Sequence, residues 1–169
     1  QAILPRLTRR VTTYGFSSQA AMIGSDLTPD GFGMRFRVRE DNVDRGEVRI
    51  NLPGRHNVAN ALATLAVASE LAVPFEIATR ALGEFVGIER RFQQRGETRG
   101  IRIIDDYAHH PSEVKATLAA ARAAHAGRIV TVFQPHRFTR TRDCFAEFTT
   151  AFNDSDLVFI TDIYPAGEE

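Results

Sequence analysis

Residues 101–114, IRIIDDYAHHPSEV, decide the fold of the second half of this 169-residue chain. The run from Ile101 to Ile104 is short and apolar, which is typical of a strand. A polar loop follows it, and Pro111 then marks the first turn of a helix that we expect to reach about His125. This stretch therefore predicts a strand–loop–helix unit.

The same alternation continues toward the end of the chain. RIVTVF at 128–133 predicts a second strand, residues 141–153 predict a helix, and LVFI at 157–160 predicts a third strand. The helix has an apolar face formed by Phe145, Phe148 and Phe152. Continuous apolar strands that alternate with helices predict a parallel sheet with right-handed crossovers. Only three strands are visible, so we expect a truncated domain.

The first half changes its hydrophobic period near Pro53-Gly54. Before that point, residues 11–16 predict a short strand, and two runs with a period of two follow: Met34, Phe36, Val38 and then Val48, Ile50, Leu52. The turn formers at 41–46 lie between these runs, so we expect an antiparallel hairpin.

Beyond that point the sequence is helical. NVANALATLAVASEL from Asn57 predicts a helix with one face formed by Val58, Leu62, Leu65 and Ser69. Val73-Pro74 ends it, and residues 75–85 predict a second helix.

Composition excludes several classes of protein. The formal net charge is zero, which disfavours a nucleic-acid or anionic-membrane binder. No apolar run approaches the roughly 20 residues of a membrane span. A single cysteine, Cys144, excludes an internal disulfide and fits a reducing compartment; we interpret it as a core residue. Because the chain lacks an initiator Met, we expect it to begin within a longer protein.

Polar loops follow all three predicted strands of the second half, at 105–111, 134–140 and 161–165. Ligands of open α/β sheets bind at the carboxyl ends of the strands. In the first loop, Asp105 and Asp106 beside His109 and His110 could bind a divalent metal, hydrogen-bond a ribose or act in acid–base chemistry. Helix capping is the structural alternative, and the sequence does not decide among these interpretations.

The second loop is rich in arginine. Arg137 and Arg140, together with His136, form a candidate anion site, because guanidinium groups match carboxylates and phosphates bidentately. A solvated basic loop is the alternative, and the apolar strand that precedes the loop favours the anion site.

Two further segments are candidate nucleotide contacts. Asn57 and Asn60 open a helix, where Asn57 is either the N-cap or part of an anion or nucleotide contact. Arg91 either belongs to a surface arginine pair with Arg90 or contacts a phosphate between domains. Lys115, the only lysine, follows Val114, so the chain contains no P-loop.

Taken together, these segments resemble the Mur ligase family over essentially the whole chain. The most specific strings are DDYAHHPSEV at 105–114, FQPHRFTRTRD at 133–143 and DIYPAGE at 162–168. PGRHN at 53–57, with Asn60, and Arg91-Phe92 are shared more broadly within the family. Within it, the strings are most similar to those of the ligases that join L-alanine to UDP-N-acetylmuramate.

The resemblance implies an α/β fold made of parts of two domains. Residues 1–88 are expected to be the end of the central, P-loop-type, ATP-binding domain, with a β-hairpin and two helices. Residues 89–169 are expected to start a Rossmann-like C-terminal domain with a parallel sheet. The UDP-binding domain, the P-loop and the last strands are expected outside the chain.

The resemblance also implies a reaction and its participants. ATP phosphorylates the lactyl carboxylate of UDP-N-acetylmuramate, the amine of L-alanine attacks the acyl phosphate, and phosphate leaves. ATP and Mg²⁺ are implied, with the principal magnesium ligands outside this chain and no metal ligand within it. The implied location is cytoplasmic, and no nucleic-acid or membrane partner is expected.

Residue roles follow from the matched motifs. The substrate-binding and catalytic set is implied to be Tyr107, His109, His136, Arg137 and Arg140. The nucleotide set is implied to be Asn57, Asn60, Arg91 and Asp106. The alternatives are a ligase of the same family that recycles murein tripeptide, and a fragment that binds nucleotide without turnover.

Overall fold

The computed structural model describes residue 6 and residues 8–169 of the chain. The chain forms two compact units. One comprises the residues up to Asn51 together with Arg55–Phe85, and the other comprises Leu52–Gly54 with Val86–Glu169. In the part of the chain that the structure describes, no helix has the length and apolar character needed to cross a membrane.

The described residues of the first unit form a four-stranded sheet with two helices. Its strands are β1 (Tyr14–Gly15), β2 (Met22–Asp30), β3 (Gly33–Glu40) and β4 (Val43–Ile50), hydrogen-bonded in that order. β1 and β2 are parallel, and the remaining pairs are antiparallel. The helices are α1 (Arg55–Glu70) and α2 (Phe75–Glu84). The core lies between sheet and helices and includes Met22, Met34, Phe36, Val38, Val48, Ile50, Val58, Leu62 and Leu65.

The predicted hairpin is confirmed as β3 and β4, with a shorter turn than expected. Asp41 and Asn42 alone form the turn, with φ of 45° and 68°. Two left-handed residues between antiparallel strands match the strand twist. β4 therefore begins at Val43, within the predicted turn, and the predicted strand at 11–16 shortens to β1.

Both predicted helices of this unit are confirmed. α1 begins at Arg55, two residues earlier than expected, so Asn57 lies inside the first turn and the N-cap interpretation of Asn57 is wrong. Val58, Leu62 and Leu65 are buried as predicted, whereas Ser69 is exposed and its hydroxyl donates to Glu40.

The second unit contains two small sheets and three helices. β5 (Gln93–Thr98) and β6 (Ile101–Asp105) are antiparallel, and β7 (Val130–Phe133) and β8 (Leu157–Ile160) are parallel. The helices are α3 (Pro111–Ala124), α4 (Phe138–Asp143) and α5 (Phe145–Phe148). The parallel strands, the helices that connect them and α3 confirm the predicted α/β class.

Two predictions for this unit need correction. The strand at 101–104 forms, but it pairs with β5 rather than with β7 and β8, because β5 lies directly before it across a tight turn. The continuous helix at 141–153 is wrong. It is replaced by α4 and α5, because Cys144, with φ of −104° and ψ of 16°, interrupts the helical backbone.

The predicted phenylalanine face is only partly formed. Phe148 and Phe152 pack on Phe133, with ring centroids 5.5 and 5.2 Å away, while Phe145 is 66% exposed. Cys144 is half-buried rather than a core residue, and its Sγ lies 3.8 Å from Nε2 of His110.

Candidate functional site

The loop between β6 and α3 is fixed at the start of the helix by a capping box. Nδ1 of His110 accepts from the backbone N–H of Ser112 at 3.4 Å, and Pro111 occupies the first turn. The Glu113 carboxylate accepts from the N–H groups of both His109 and His110 at 3.1 Å. These bonds satisfy N–H groups that helix geometry leaves without a partner, so the loop carrying both histidines is held on α3.

Glu113 also meets two positive or titratable side chains. Its Oε1 lies 3.6 Å from Nη1 of Arg91, and its Oε2 lies 3.8 Å from Nδ1 of His109. Partial burial raises the pKa of Glu113, but the N–H donors of His109 and His110, with the charges of His109 and Arg91, outweigh it, so the pKa lies below its ordinary value. The carboxylate is therefore ionised at neutral pH.

Asp106 ties this loop to the segment that carries Arg91. Its Oδ2 accepts from the N–H of Phe92 at 2.8 Å, and its Oδ1 accepts from the N–H of Ala108 at 2.7 Å. The N–H of Tyr107 donates to the carbonyl of Arg90 at 2.6 Å. Phe92 is buried, so the backbone on both sides of Arg91 is anchored.

Asp105 takes no part in this loop. Its Oδ2 pairs with Arg95 at 3.1 Å and with Arg90 at 3.8 Å. Within residue 6 and residues 8–169, no three histidine, cysteine, aspartate or glutamate side chains are grouped as a metal site requires. The two neighbouring carboxylates therefore differ: Asp106 anchors backbone N–H groups, and Asp105 forms ion pairs with arginine side chains.

The tautomer of His109 follows from its hydrogen bond. Nδ1 of His109 lies 2.8 Å from the carbonyl oxygen of Tyr107. A carbonyl oxygen only accepts, so Nδ1 carries the proton and the lone pair of a neutral ring is on Nε2. The two rings are edge-on to each other, with centroids 5.0 Å apart.

His136 has the opposite tautomer. Its Nδ1 lies 3.4 Å from Nη1 of Arg140, and a guanidinium only donates, so Nδ1 accepts and a neutral ring carries its proton on Nε2. Burial lowers the pKa of His136, and the charges of Arg140, His109 and Arg137 lower it further. The neutral ring is therefore the predominant form of His136 at pH 7.

The rings of Tyr107, His109, His136 and Tyr164 form a continuous row that joins the loops after β6, β7 and β8. The centroid of His136 lies 5.6 Å from that of His109 and 5.5 Å from that of Tyr164. The Arg137 N–H donates to the carbonyl of Tyr164 at 2.8 Å, and His136 bridges with Tyr164 in a parallel β-bridge. The row places His109 and His136 side by side at the carboxyl end of β7.

Arg137 itself has a strained backbone. Its φ is 75°, a conformation that non-glycine residues adopt rarely and that clusters at functional sites. The side chain is exposed. The carbonyl of Arg137 accepts from the hydroxyl of Thr141 at 2.8 Å, which fixes the residue at the start of α4.

The structure thus brings together most of the predicted site residues. Tyr107, His109, His136 and Arg140 are in contact along the row, Arg137 adjoins it, and Arg91 and Asp106 flank the same loop through Glu113 and Phe92. Asn57 and Asn60 belong to the other unit, where their side chains lie 3.5 Å apart in the first turns of α1.

Sequence reasoning gave no role to three residues of this site, Glu113, Tyr164 and Glu168. Glu113 could have been found, because it follows His110 at the capping-box spacing. Glu168 accepts from the N–H and hydroxyl of Thr139 at 3.0 and 2.5 Å, and these bonds lower its pKa. No local pattern predicts its partner, which is 29 residues away.

Comparison with protein families matches two parts of the chain. Residues 2–68 match the Mur ligase middle domain, and residues 90–169 match the Mur ligase glutamate ligase domain. The UDP-N-acetylmuramate–L-alanine ligase of Myxococcus xanthus is 51% identical over the whole of this chain, which covers 36% of that protein. The ligase of the same name from Pelobacter propionicus is also 51% identical, with 37% of its length covered.

Comparison with solved structures also identifies Mur ligases. The UDP-N-acetylmuramate–alanine ligase of Thermotoga maritima superposes with a TM-score of 0.80 at 30% identity, covering 93% of this chain and 35% of that one. MurF from Acinetobacter baumannii, at 20% identity and a TM-score of 0.72 over 89% of this chain and 33% of that one, shares the fold. The chain therefore belongs to the Mur ligase family, with segments of its middle and C-terminal domains.

Proposed function

We propose that this chain is part of an ATP-dependent ligase that joins L-alanine to UDP-N-acetylmuramate in peptidoglycan precursor synthesis in the cytoplasm. The chain spans about 36% of the length of the curated relatives it matches, and those relatives carry this activity in their names. We assign residues 1–88 to the end of the ATP-binding central domain and residues 89–169 to the start of the C-terminal ligase domain.

The row of rings beside the loop at 134–140, which carries Arg137 and Arg140, is the observation that carries this proposal. An amino acid presents a carboxylate and an amine. Arg137 and Arg140 supply guanidinium groups for the carboxylate, and Arg140 is oriented by His136. The lone pair on Nε2 of His109 is suited to accept the proton of the amine, because Nδ1 is occupied by the Tyr107 carbonyl.

The reaction needs charge neutralisation and positioning more than covalent chemistry by the protein. The lactyl carboxylate attacks the terminal phosphorus of ATP, giving an acyl phosphate and ADP. The alanine amine then adds to the acyl carbon, and phosphate leaves as the amide forms. Neutral His136, which carries a proton on Nε2, can donate a hydrogen bond to the oxygen that gains charge in this step.

Two residues of this unit fit a nucleotide. Each oxygen of Asp106 accepts one N–H donor and keeps a lone pair for a ribose hydroxyl. The Arg91 side chain is 48% exposed, so its guanidinium is accessible to phosphate. We assign Asn57 and Asn60 to the same nucleotide. Mg²⁺ supplies charge neutralisation at the phosphates when bound, and we expect its principal ligands outside this chain.

The test is phosphate release by the full-length ligase with ATP, Mg²⁺ and UDP-N-acetylmuramate, with L-alanine, glycine, L-serine and murein tripeptide as acceptors. We expect L-alanine to trigger release. Arg137→Ala should lower kcat/KM for L-alanine roughly 10- to 100-fold, the value of a hydrogen bond to a charged group. Arg142→Ala is the matched control, because Arg142 is exposed and pairs with its neighbour Asp143.

Two other outcomes would change the proposal. Release with tripeptide alone would assign the chain to a recycling ligase of the same family. Nucleotide binding without release for any acceptor would leave a binding role. The isolated 169-residue chain lacks a P-loop, and we expect it to form no UDP-N-acetylmuramoyl-L-alanine.

A further inference from the structure

Glu113 links the two halves of the candidate site. One carboxylate oxygen accepts the N–H groups of His109 and His110 at 3.1 Å, and the other faces Nη1 of Arg91 at 3.6 Å. Arg91, the proposed phosphate contact, and His109, the proposed base, therefore both contact the Glu113 carboxylate. The roles assigned to the matched motifs did not include Glu113.

We propose that Glu113 is a positioning residue. Its negative charge orients the Arg91 guanidinium toward the nucleotide phosphates, and its carboxylate holds His109 in place by accepting the backbone N–H of that residue. This inference rests on the proposed function for the identity of the ligands. It adds a residue that touches neither substrate and acts through Arg91 and His109.

The anchoring of both partners supports this role. The Glu113 carboxylate is fixed by two N–H donors, so its charge has a defined place. The backbone of Arg91 is fixed as well, because its N–H donates to Ile88 at 3.3 Å and the next residue is tied to Asp106. The guanidinium is 48% exposed and the carboxylate 34%, so Arg91 can turn outward while it remains close to Glu113.

Glu113→Gln separates the charge of Glu113 from its role as a helix cap. The amide oxygen of glutamine still accepts from the N–H groups of His109 and His110, and glutamine is accepted at this position of a capping box. The variant loses the negative charge that faces Arg91 and His109, and it turns an NH₂ donor toward the Arg91 guanidinium, so the attraction to Arg91 is lost while the cap is kept. Glu113→Ala loses both the charge and the cap.

In the full-length ligase we expect Glu113→Gln to raise the KM for ATP roughly 5-fold, the upper range for an exposed pair, with the melting temperature lowered less than in Glu113→Ala because the cap bonds remain. Its affinity for a non-hydrolysable ATP analogue, measured by calorimetry, should fall by the same factor. Glu113→Ala should also lower the melting temperature. Glu97→Gln is the matched control, because Glu97 pairs with Arg102 on the exposed β5–β6 hairpin.

A double-mutant cycle tests whether Glu113 acts through Arg91. If it does, Glu113→Gln in an Arg91→Met background should change the analogue affinity by less than twofold. Wild-type analogue affinity in Glu113→Gln, or an equal effect of Glu113→Gln with and without Arg91, would overturn the inference. Absence of analogue binding by the wild-type ligase would also overturn it.

The same experiments distinguish failure of the proposed function from failure of the inference about Glu113. If the wild-type ligase binds the analogue but L-alanine triggers no phosphate release, the proposed function fails. The effect of Glu113→Gln on analogue affinity then still decides whether Glu113 orients Arg91.

Discussion

Nη1 of Arg140 donates to Nδ1 of His136 at 3.4 Å and also to the carbonyl of the same residue at 3.3 Å. The arginine thereby fixes the tautomer of the imidazole and adds a positive charge beside it. Burial lowers the pKa of His136 most, and Arg140 is the next contributor.

His136 should therefore titrate below 6.5, its ordinary value. Arg140→Gln removes the neighbouring charge, so the titration midpoint of His136, followed by NMR of labelled histidine in the full-length ligase, should rise toward 6.5 and remain below it because burial persists. Arg142→Gln should leave the midpoint unchanged. An unchanged midpoint in Arg140→Gln would show that Arg140 does not act on the ring.

The same shift predicts a dependence of stability on pH. His136 takes up its proton at a higher pH in the unfolded chain than in the folded chain, because folding lowers its pKa. His136 therefore leaves the free energy of unfolding unaffected above pH 6.5 and reduces it as the pH falls below that value. His136→Gln should flatten this part of the stability curve in urea unfolding between pH 7 and 5. A curve that keeps its slope in the variant would contradict the prediction.

Arg137 should be a site where activity and stability oppose each other. Its φ of 75° is strained for any residue with a Cβ. Arg137→Gly and Arg137→Ala both lack the guanidinium and should lose the same activity, but the glycine variant should be about 1 kcal/mol more stable than the alanine variant. Urea unfolding measures the difference, and equal stability of the two variants would argue against backbone strain.

Gly33 should not tolerate a side chain. A methyl group at this position would overlap the carbonyl oxygen of Ile50 on the paired strand. Gly33→Ala should therefore lower the free energy of unfolding by about 1–3 kcal/mol. Gly96→Ala in β5 is the matched control, because a methyl group there meets no atom within 4 Å, and it should change stability by less than about 0.5 kcal/mol.

Arg122 should stabilise the second unit by joining the end of α3 to the starts of β7 and β8. Its guanidinium donates to the carbonyls of Gly127 and Asp154 at 2.8 and 3.0 Å, and to Asp156 at 2.7 Å. Loss of the two carbonyl bonds in Arg122→Met should lower the free energy of unfolding by about 1–2 kcal/mol. Arg128→Met, at an exposed position near the same strand, should have little effect in the same denaturation experiment.

The elements that were predicted correctly are those with a strong local pattern. The alternation of Met34, Phe36 and Val38 specified β3, and the apolar run at 157–160 specified β8. β2 was missed because Gly24, Asp26 and Pro29 interrupt its alternation, and a bulge between Ser25 and Thr28 shifts its register. The polar strand β5, QQRGET, has no hydrophobic period and exists through its pairing with β6.

The sequence by itself determined the local elements, the polar loops after the strands and the strings that mark the family, because each depends on residues that are neighbours along the chain. Only the tertiary structure decided how those loops are used. Asp105 and Asp106, adjacent in sequence, take different partners, and Glu113 meets Arg91, 22 positions earlier. His109 and His136 become ring neighbours because chain folding, which no local pattern encodes, brings their two loops together.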